Sequence, residues 1–107
     1  MTMDADQRAM AAVEGLVVER VTIPRFEPSS YSQDAPDATY TVRVSIKPGD
    51  SHVEVTPRPP SVRERGQALL EARRILQDKE ERTATVNDRQ MLTHAVINLT
   101  REINALP

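Results

Sequence analysis

The chain has two histidines, His52 and His94, and histidine is the side chain that general acid–base catalysis uses most often. No serine, aspartate or second histidine stands at a spacing that would complete a catalytic set with either of them. His52 falls on the polar side of a predicted hairpin, and His94 lies off the apolar seam of a predicted helix. We therefore expect two solvent-exposed histidines and a protein that is not an enzyme.

Acidic side chains cluster at Asp78, Glu80 and Glu81, and paired carboxylates of this kind can bind a divalent cation. Lys79 and Arg82 are interspersed among them, which is typical of a solvated helix face. The chain has no cysteine, so disulfides and thiolate chemistry are excluded and a structural zinc site is not expected. The sequence predicts no metal and no cofactor.

The length of 107 residues predicts a single domain, 1–107, with a modest core. The aromatic side chains are Phe26, Tyr31 and Tyr40 alone, so valine, isoleucine and leucine must build most of the interior. A thin aliphatic core favours the burial of further surface in an oligomer. The formal net charge is −2, without the basic stripe of a dedicated nucleic-acid binder.

The first residues are acidic and lack the apolar run of a secretory signal. Apolar stretches elsewhere are only a few residues long, whereas a membrane helix needs about 20. We therefore expect no membrane association and a cytoplasmic protein, or one inside a particle assembled in the cytoplasm.

The first half of the chain has the pattern of a small antiparallel sheet. Residues 4–14 contain helix formers and predict a short N-terminal helix. Residues 16–23, 39–46 and 52–56 are rich in β-branched side chains and predict three strands. A polar segment, 28–37, is long for a connection in a compact domain, so it is either mobile or functional.

The second and third strands form a hairpin whose register the sequence specifies. A proline–glycine pair within residues 47–50 closes the turn and places Val44 opposite Val53 on an apolar face. Arg43 then lies opposite Glu54 on the polar face, as an opposite-charge cross-strand pair. A four-residue loop preserves this register and avoids the poor match between a type II turn and hairpin twist.

Residues 57–60 contain three prolines and should run extended in polyproline II form. The capping box Ser61-x-x-Glu64 then starts a helix that continues to about Arg82. The apolar face of this helix is broad enough to contact two elements at once, and it comprises Val62, Ala68, Leu69, Leu70, Ala72, Ile75 and Leu76.

A second capping box, Asn87-x-x-Gln90, starts the last helix. Ile97 lies on the opposite side of this helix from its apolar seam. The seam residues are Leu92, Val96, Leu99, Ile103 and Leu106. Residues 61–106 therefore predict a two-helix hairpin, and the fold class is α+β with a short N-terminal helix, about three antiparallel strands and a C-terminal helical hairpin.

The broad helix face and the stray Ile97 favour a non-enzymatic protein–protein interaction module that acts as a homo-oligomer, most simply a dimer through the hairpin. Such a module could be an assembly, adaptor or inhibitor protein with a protein partner, and a small phage or mobile-element accessory protein fits this size. The candidate interface residues are Leu70, Ile75, Ile97, Arg65 and Arg73. The two arginines either snorkel or form a charged rim.

An alternative is nucleic-acid binding. The order αβββα over about residues 4–76, with the segment 38–44 as middle strand and Ser61-x-Arg63 opening the helix, resembles a double-stranded-RNA-binding domain. That resemblance implies phosphate contacts from a basic cluster at the helix start. Here Arg63 and Arg58 would supply them, while Val62 and Gly66 stand where the family has further lysines.

Overall fold

The computed structural model describes residues 15–24 and 37–107, and it confirms the α+β layout. The elements in chain order are β1 (Leu16–Ile23), β2 (Ala38–Ser45), β3 (Val53–Thr56), α1 (Val62–Arg82) and α2 (Val86–Asn104). The predicted helix over residues 4–14 and nearly all of the predicted loop 28–37 lie outside the described residues.

The three strands form an antiparallel sheet in the order β1-β2-β3. The predicted hairpin register is confirmed, with Val44 opposite Val53 and Arg43 opposite Glu54. The turn spans residues 47–50, where the Asp50 amide donates to the Lys47 carbonyl at 3.2 Å. Its glycine has a φ of +77°, which is the left-handed backbone that a type II turn requires after proline.

Next to the hairpin turn, both strands stop one residue short of the predicted bounds. β2 ends at Ser45 rather than at residue 46, and β3 begins at Val53 rather than at residue 52. By strand alternation Ser45 lies on the face opposite Val44, yet it is buried because the turn folds back onto it. Its hydroxyl donates to the Asp50 carboxylate at 2.8 Å.

Both helices cover the same face of the sheet, α1 mainly over β1 and α2 mainly over β2. The interior between these two layers is aliphatic apart from Tyr40. Its buried members are Val21, Ile23, Ala38, Tyr40, Val42, Val44, Val55, Ala68, Leu69, Ala72, Leu76, Ala95 and Leu99. Leu69, Ala72 and Leu76 of the predicted α1 stripe and Leu99 of the predicted α2 seam are buried in this core, where alternate residues of the strands meet them. Val62, predicted in the α1 stripe, is instead 49% exposed.

The start of α1 is as the sequence predicts, and that of α2 is not. The Ser61 hydroxyl accepts the Glu64 amide at 3.1 Å and caps α1. The capping residue of α2 is Thr85 instead of Asn87, so this helix begins at Val86. The Thr85 hydroxyl donates to the Asp88 carboxylate at 2.6 Å, a contact three residues apart that fits Thr85 at the cap position.

Candidate functional site

Exposed large apolar side chains in the described part of the chain all belong to the helical layer. Val62 and Leu70 on α1 are 49% and 46% exposed, and Val86 and Ile97 on α2 are 72% and 45% exposed. The sheet contributes none, since the outward-facing apolar side chains of its described strands, Leu16 and Val18 on β1, are half-buried. Exposed apolar surface therefore concentrates on the helical hairpin.

Leu70 and Ile97 lie on the side of the hairpin that faces away from the sheet. The Lys79 ammonium reaches the Glu19 carboxylate on β1, so Lys79 points toward the sheet. Leu70 projects about 180° from Lys79 around the axis of α1, away from the sheet. Ile97 is about 200° around α2 from Leu99, which is fully buried. We call this surface, defined by Leu70 and Ile97 with Thr93 and Thr100 around them, the outer helical face.

The two threonines make the outer helical face less polar than its composition indicates. The Thr93 hydroxyl donates to the Arg89 carbonyl at 2.8 Å, and the Thr100 hydroxyl donates to the Val96 carbonyl at 2.8 Å. Because each hydroxyl is bonded within its own helix, burial of this surface would leave neither donor without a partner.

The other predicted interface residues are placed differently. Ile75 is half-buried and packs against the core. Arg65 donates through Nη2 to Glu102 Oε1 at 2.9 Å, joining the start of α1 to the end of α2. Arg73 is half-buried on α1. Of the five predicted residues, Leu70 and Ile97 are therefore the two that present a large exposed apolar side chain.

A second surface feature is an open groove of about 760 Å³ where β3 leads into α1. The peptide bond between Thr56 and Pro57 at its edge is cis. The lining residues are Val55, Arg58, Pro59, Pro60, Ser61, Val62 and Arg65. We call this the junction groove. It combines apolar walls with two guanidinium groups, and none of its lining residues is acidic.

Arg58 and Arg63, the predicted phosphate contacts, both lie exposed near the start of α1. Among residues 15–24 and 37–107, no carboxylate forms an ion pair with either of them. Arg58 lines the junction groove and Arg63 does not. The structure therefore brings Arg58 together with Arg65 rather than with Arg63 in that groove.

The residues with catalytic or metal-binding side chains do not come together. His52 is exposed before β3, and His94 is half-buried on α2. In the acidic cluster, Asp78 pairs with Arg82 at 3.3 Å, and Glu80 Oε1 lies 3.0 Å from the Thr93 hydroxyl oxygen, whose single proton it shares with the Arg89 carbonyl. In the described ranges, no three histidine or acidic side chains group closely enough to hold a metal ion.

One shifted pKa belongs to the hairpin turn, and the other two belong to an ion pair on α1 whose Arg74 lies one helical turn from Leu70. Hydrogen bonds from the Ser45 hydroxyl and from the His52 amide hold the pKa of Asp50 below its usual value of 3.8. The Arg74 guanidinium lowers the pKa of Glu71 and has its own pKa raised in return. The causes of these pKa shifts are hydrogen bonds within the turn and a surface ion pair, so the shifts do not indicate a reactive group.

Two buried polar residues were not predicted from the sequence. Asn98 is fully buried, and its amide nitrogen donates to the Ser45 and Lys47 carbonyls at 2.8 and 2.9 Å. Glu19 points into the core face of β1, where Lys79 binds it. Both have partners more than 50 residues away in the sequence, so no local pattern could have identified them.

No protein-family model, curated protein sequence or solved structure matches the chain. In the part of the chain that the structure describes, neither helix has the length and hydropathy needed to cross a membrane. The assignment of function therefore depends on the two surfaces themselves.

Proposed function

We propose that this chain is a non-enzymatic protein–protein interaction module that self-associates through its outer helical face. The observation that carries the proposal is that, among the described residues, the exposed large apolar side chains all lie on the helical hairpin, Leu70 and Ile97 among them. Such surface is costly to leave in water, and contact with a second protein surface removes it.

A symmetric dimer fits this surface better than an open assembly. In a two-fold arrangement the same patch contacts itself, so Leu70 of one copy can pack near Ile97 of the other. A stable interface of this type buries about 800 Å² on each partner, which requires the outward sides of both helices. The internally bonded hydroxyls of Thr93 and Thr100 lower the desolvation cost of that burial.

The test is the molar mass of the full chain and its variants by size-exclusion chromatography with light scattering. Leu70→Asp and Ile97→Asp place a charge in the outer helical face and should each convert a dimer into a monomer with unchanged circular dichroism. Ser51→Asp adds the same charge at an exposed hairpin-loop position and should leave the dimer intact. A monomeric parent chain, or unchanged mass in both helix variants, contradicts the proposal.

The wider role that we propose is that of an assembly, adaptor or inhibitor protein in the cytoplasm, of the kind that phages and mobile elements encode as accessories. The exposed apolar side chains on the helical hairpin support this proposal, because such surface marks protein contacts. Capture of the same partner by the parent chain and by Ser51→Asp, but not by a folded Leu70→Asp variant, would support a partner contact on this face.

Nucleic-acid binding is the second candidate. Arg58 and Arg63 near the start of α1 favour it, because both are exposed and neither has an ion-pair partner in residues 15–24 and 37–107. Phosphate contacts release counterions, so affinity for a double-stranded RNA should fall steeply as salt rises. Replacing both arginines with glutamine should then weaken binding and flatten the salt dependence. Binding that ignores salt, or that survives the double substitution, argues against this role.

A further inference from the structure

We propose that the junction groove is a second docking site, and that it binds an acidic peptide segment carrying an aliphatic side chain. The groove is separate from the outer helical face, so this inference does not depend on self-association. It rests on the lining of the groove and on the state of its two arginines.

The groove selects for negative charge. Its lining contains Arg58 and Arg65 and no acidic residue, although the whole chain has a net charge of −2. Arg58 is exposed and has no ion-pair partner among the described residues. The amino-terminal end of α1, capped by Ser61, adds the positive end of a helix dipole at the same place.

Arg65 is held in position to receive a carboxylate. Its Nη2 atom donates to Glu102 Oε1 at 2.9 Å, and the two side chains are 27% and 28% exposed. That bond fixes the plane of the guanidinium group while using only part of its five N–H donors. A positioned guanidinium binds a second carboxylate with little loss of side-chain freedom, because that freedom has already been restricted.

The walls of the groove select for an aliphatic group between the charges. Val55 is buried at its base, Pro59 is half-buried, and Val62 is 49% exposed. The prolines lack amide hydrogens, so they offer a ligand apolar contact rather than a strand-like hydrogen-bond ladder. A branched aliphatic side chain that enters this space removes its own surface and that of Val62 from water together.

A peptide fits the groove better than a nucleic acid does. Duplex binding uses a row of cations that follow the phosphate backbone, whereas two arginines line this groove and one of them already has a carboxylate partner. Single-stranded binding adds aromatic side chains on which bases stack, and the lining has none.

The experiment is an amide-resonance titration of the full chain with three blocked pentapeptides: Glu-Glu-Leu-Glu-Glu, its lysine counterpart Lys-Lys-Leu-Lys-Lys, and Glu-Glu-Gly-Glu-Glu. We expect the first to give saturable shifts centred on Val55, Ser61 and Val62, the glycine peptide to bind more weakly, and the lysine peptide to give no shifts. Shifts spread over the surface, or equal shifts with the lysine peptide, overturn the proposal.

Variants separate the groove from general charge attraction. Arg58→Gln should weaken binding of the leucine peptide about tenfold, as expected for the loss of one charge-assisted hydrogen bond. Arg43→Gln removes an exposed charge from the opposite face of the sheet and should leave affinity unchanged. Val62→Asp should abolish binding while α1 stays folded, since an aspartate suits the first turn of a helix.

Two outcomes assign the groove to something else. Equal weakening by Arg58→Gln and Arg43→Gln would show attraction to the overall charge rather than docking. Displacement of the peptide by an RNA duplex, through contacts that Arg63→Gln removes, would assign the surface to nucleic acid. The titration is repeated on Ile97→Asp, where retained peptide binding keeps this result distinct from the outcome for self-association.

Discussion

The side-chain amide of Asn98 on α2 donates to the main-chain carbonyl of Ser45 at 2.8 Å, across 53 residues of sequence. The same nitrogen donates to the Lys47 carbonyl at 2.9 Å, so one side chain binds both carbonyls at the point where β2 enters the hairpin turn. Its own oxygen is buried without a hydrogen-bond partner among the described atoms. The turn and the last helix are therefore joined by a polar contact inside an otherwise aliphatic layer.

Replacing Asn98 should destabilise the fold more than any other asparagine substitution on α2. Asn98→Ala leaves two carbonyls without their donor and should lower the free energy of unfolding by about 2–4 kcal/mol. Asn98→Asp should cost more, because it places a charged carboxylate against two carbonyl oxygens. Urea denaturation measures both. Asn104→Ala, at an exposed position on the same helix, should cost no more than about 0.5 kcal/mol, and equal effects at the two positions would contradict this account.

Replacing one partner of the ion pair between Glu19 and Lys79 should destabilise the fold more than replacing both. The Glu19 side chain is 9% exposed and the Lys79 side chain 44% exposed. Lys79→Met leaves a nearly buried carboxylate without its cation and should cost about 1–3 kcal/mol, less than for a fully buried pair because solvent reaches the lysine. Adding Glu19→Leu should restore stability to within about 1 kcal/mol of the parent chain.

Urea unfolding of the two single variants and the double variant gives the coupling energy directly. A double variant that is as unstable as Lys79→Met alone would show that packing around the pair, rather than the isolated charge, determines the loss.

The hydrogen-bonded carboxylate of Asp50 should make the folded state less stable at acid pH. Its hydrogen bonds hold its folded-state pKa below the usual 3.8, so the folded state binds its proton less readily than the unfolded state does. The Asp50 carboxylate therefore contributes its full share to the free energy of unfolding above the usual pKa of 3.8. That share is lost as the pH falls through the lower, folded-state pKa. Asp50→Asn should lack this part of the acid sensitivity.

The measurement is the thermal unfolding midpoint of the parent chain and of Asp50→Asn between about pH 2 and pH 7, a range that spans the usual carboxylate pKa. The difference between the two proteins should be constant at the upper end and shrink at the lower end. A difference that does not change with pH would mean that the carboxylate does not act through its ionisation.

The sequence predicts those features whose cause is local. The hairpin register follows from alternation on both strands and one proline–glycine turn, and the start of α1 follows from Ser61 and Glu64. The start of α2 was missed because Asn87 and Thr85 are both acceptable capping residues two positions apart. Local pattern cannot rank them without the packing that follows.

The same limit applies to the surfaces. The exposure of Ile97 could be predicted from its position opposite the seam, whereas the burial of Ile75 depends on how α1 lies over β1. The pairing of Arg65 with Glu102 requires the two helices to be antiparallel and in a particular alignment. Such a relation exists only once the hairpin has closed, so the junction groove could not be inferred from the sequence.

Among the described residues, each strand of the sheet pairs only with its neighbour in the chain, and both helices follow all three strands. A ribosome therefore releases the complete sheet before either of the helices that cover its apolar side. For that interval Val42 and Val44 are available to any other apolar surface in the cell. Asn98 lies nine residues from the end of this sequence, so a chain truncated before α2 would lack the contact that holds the hairpin turn.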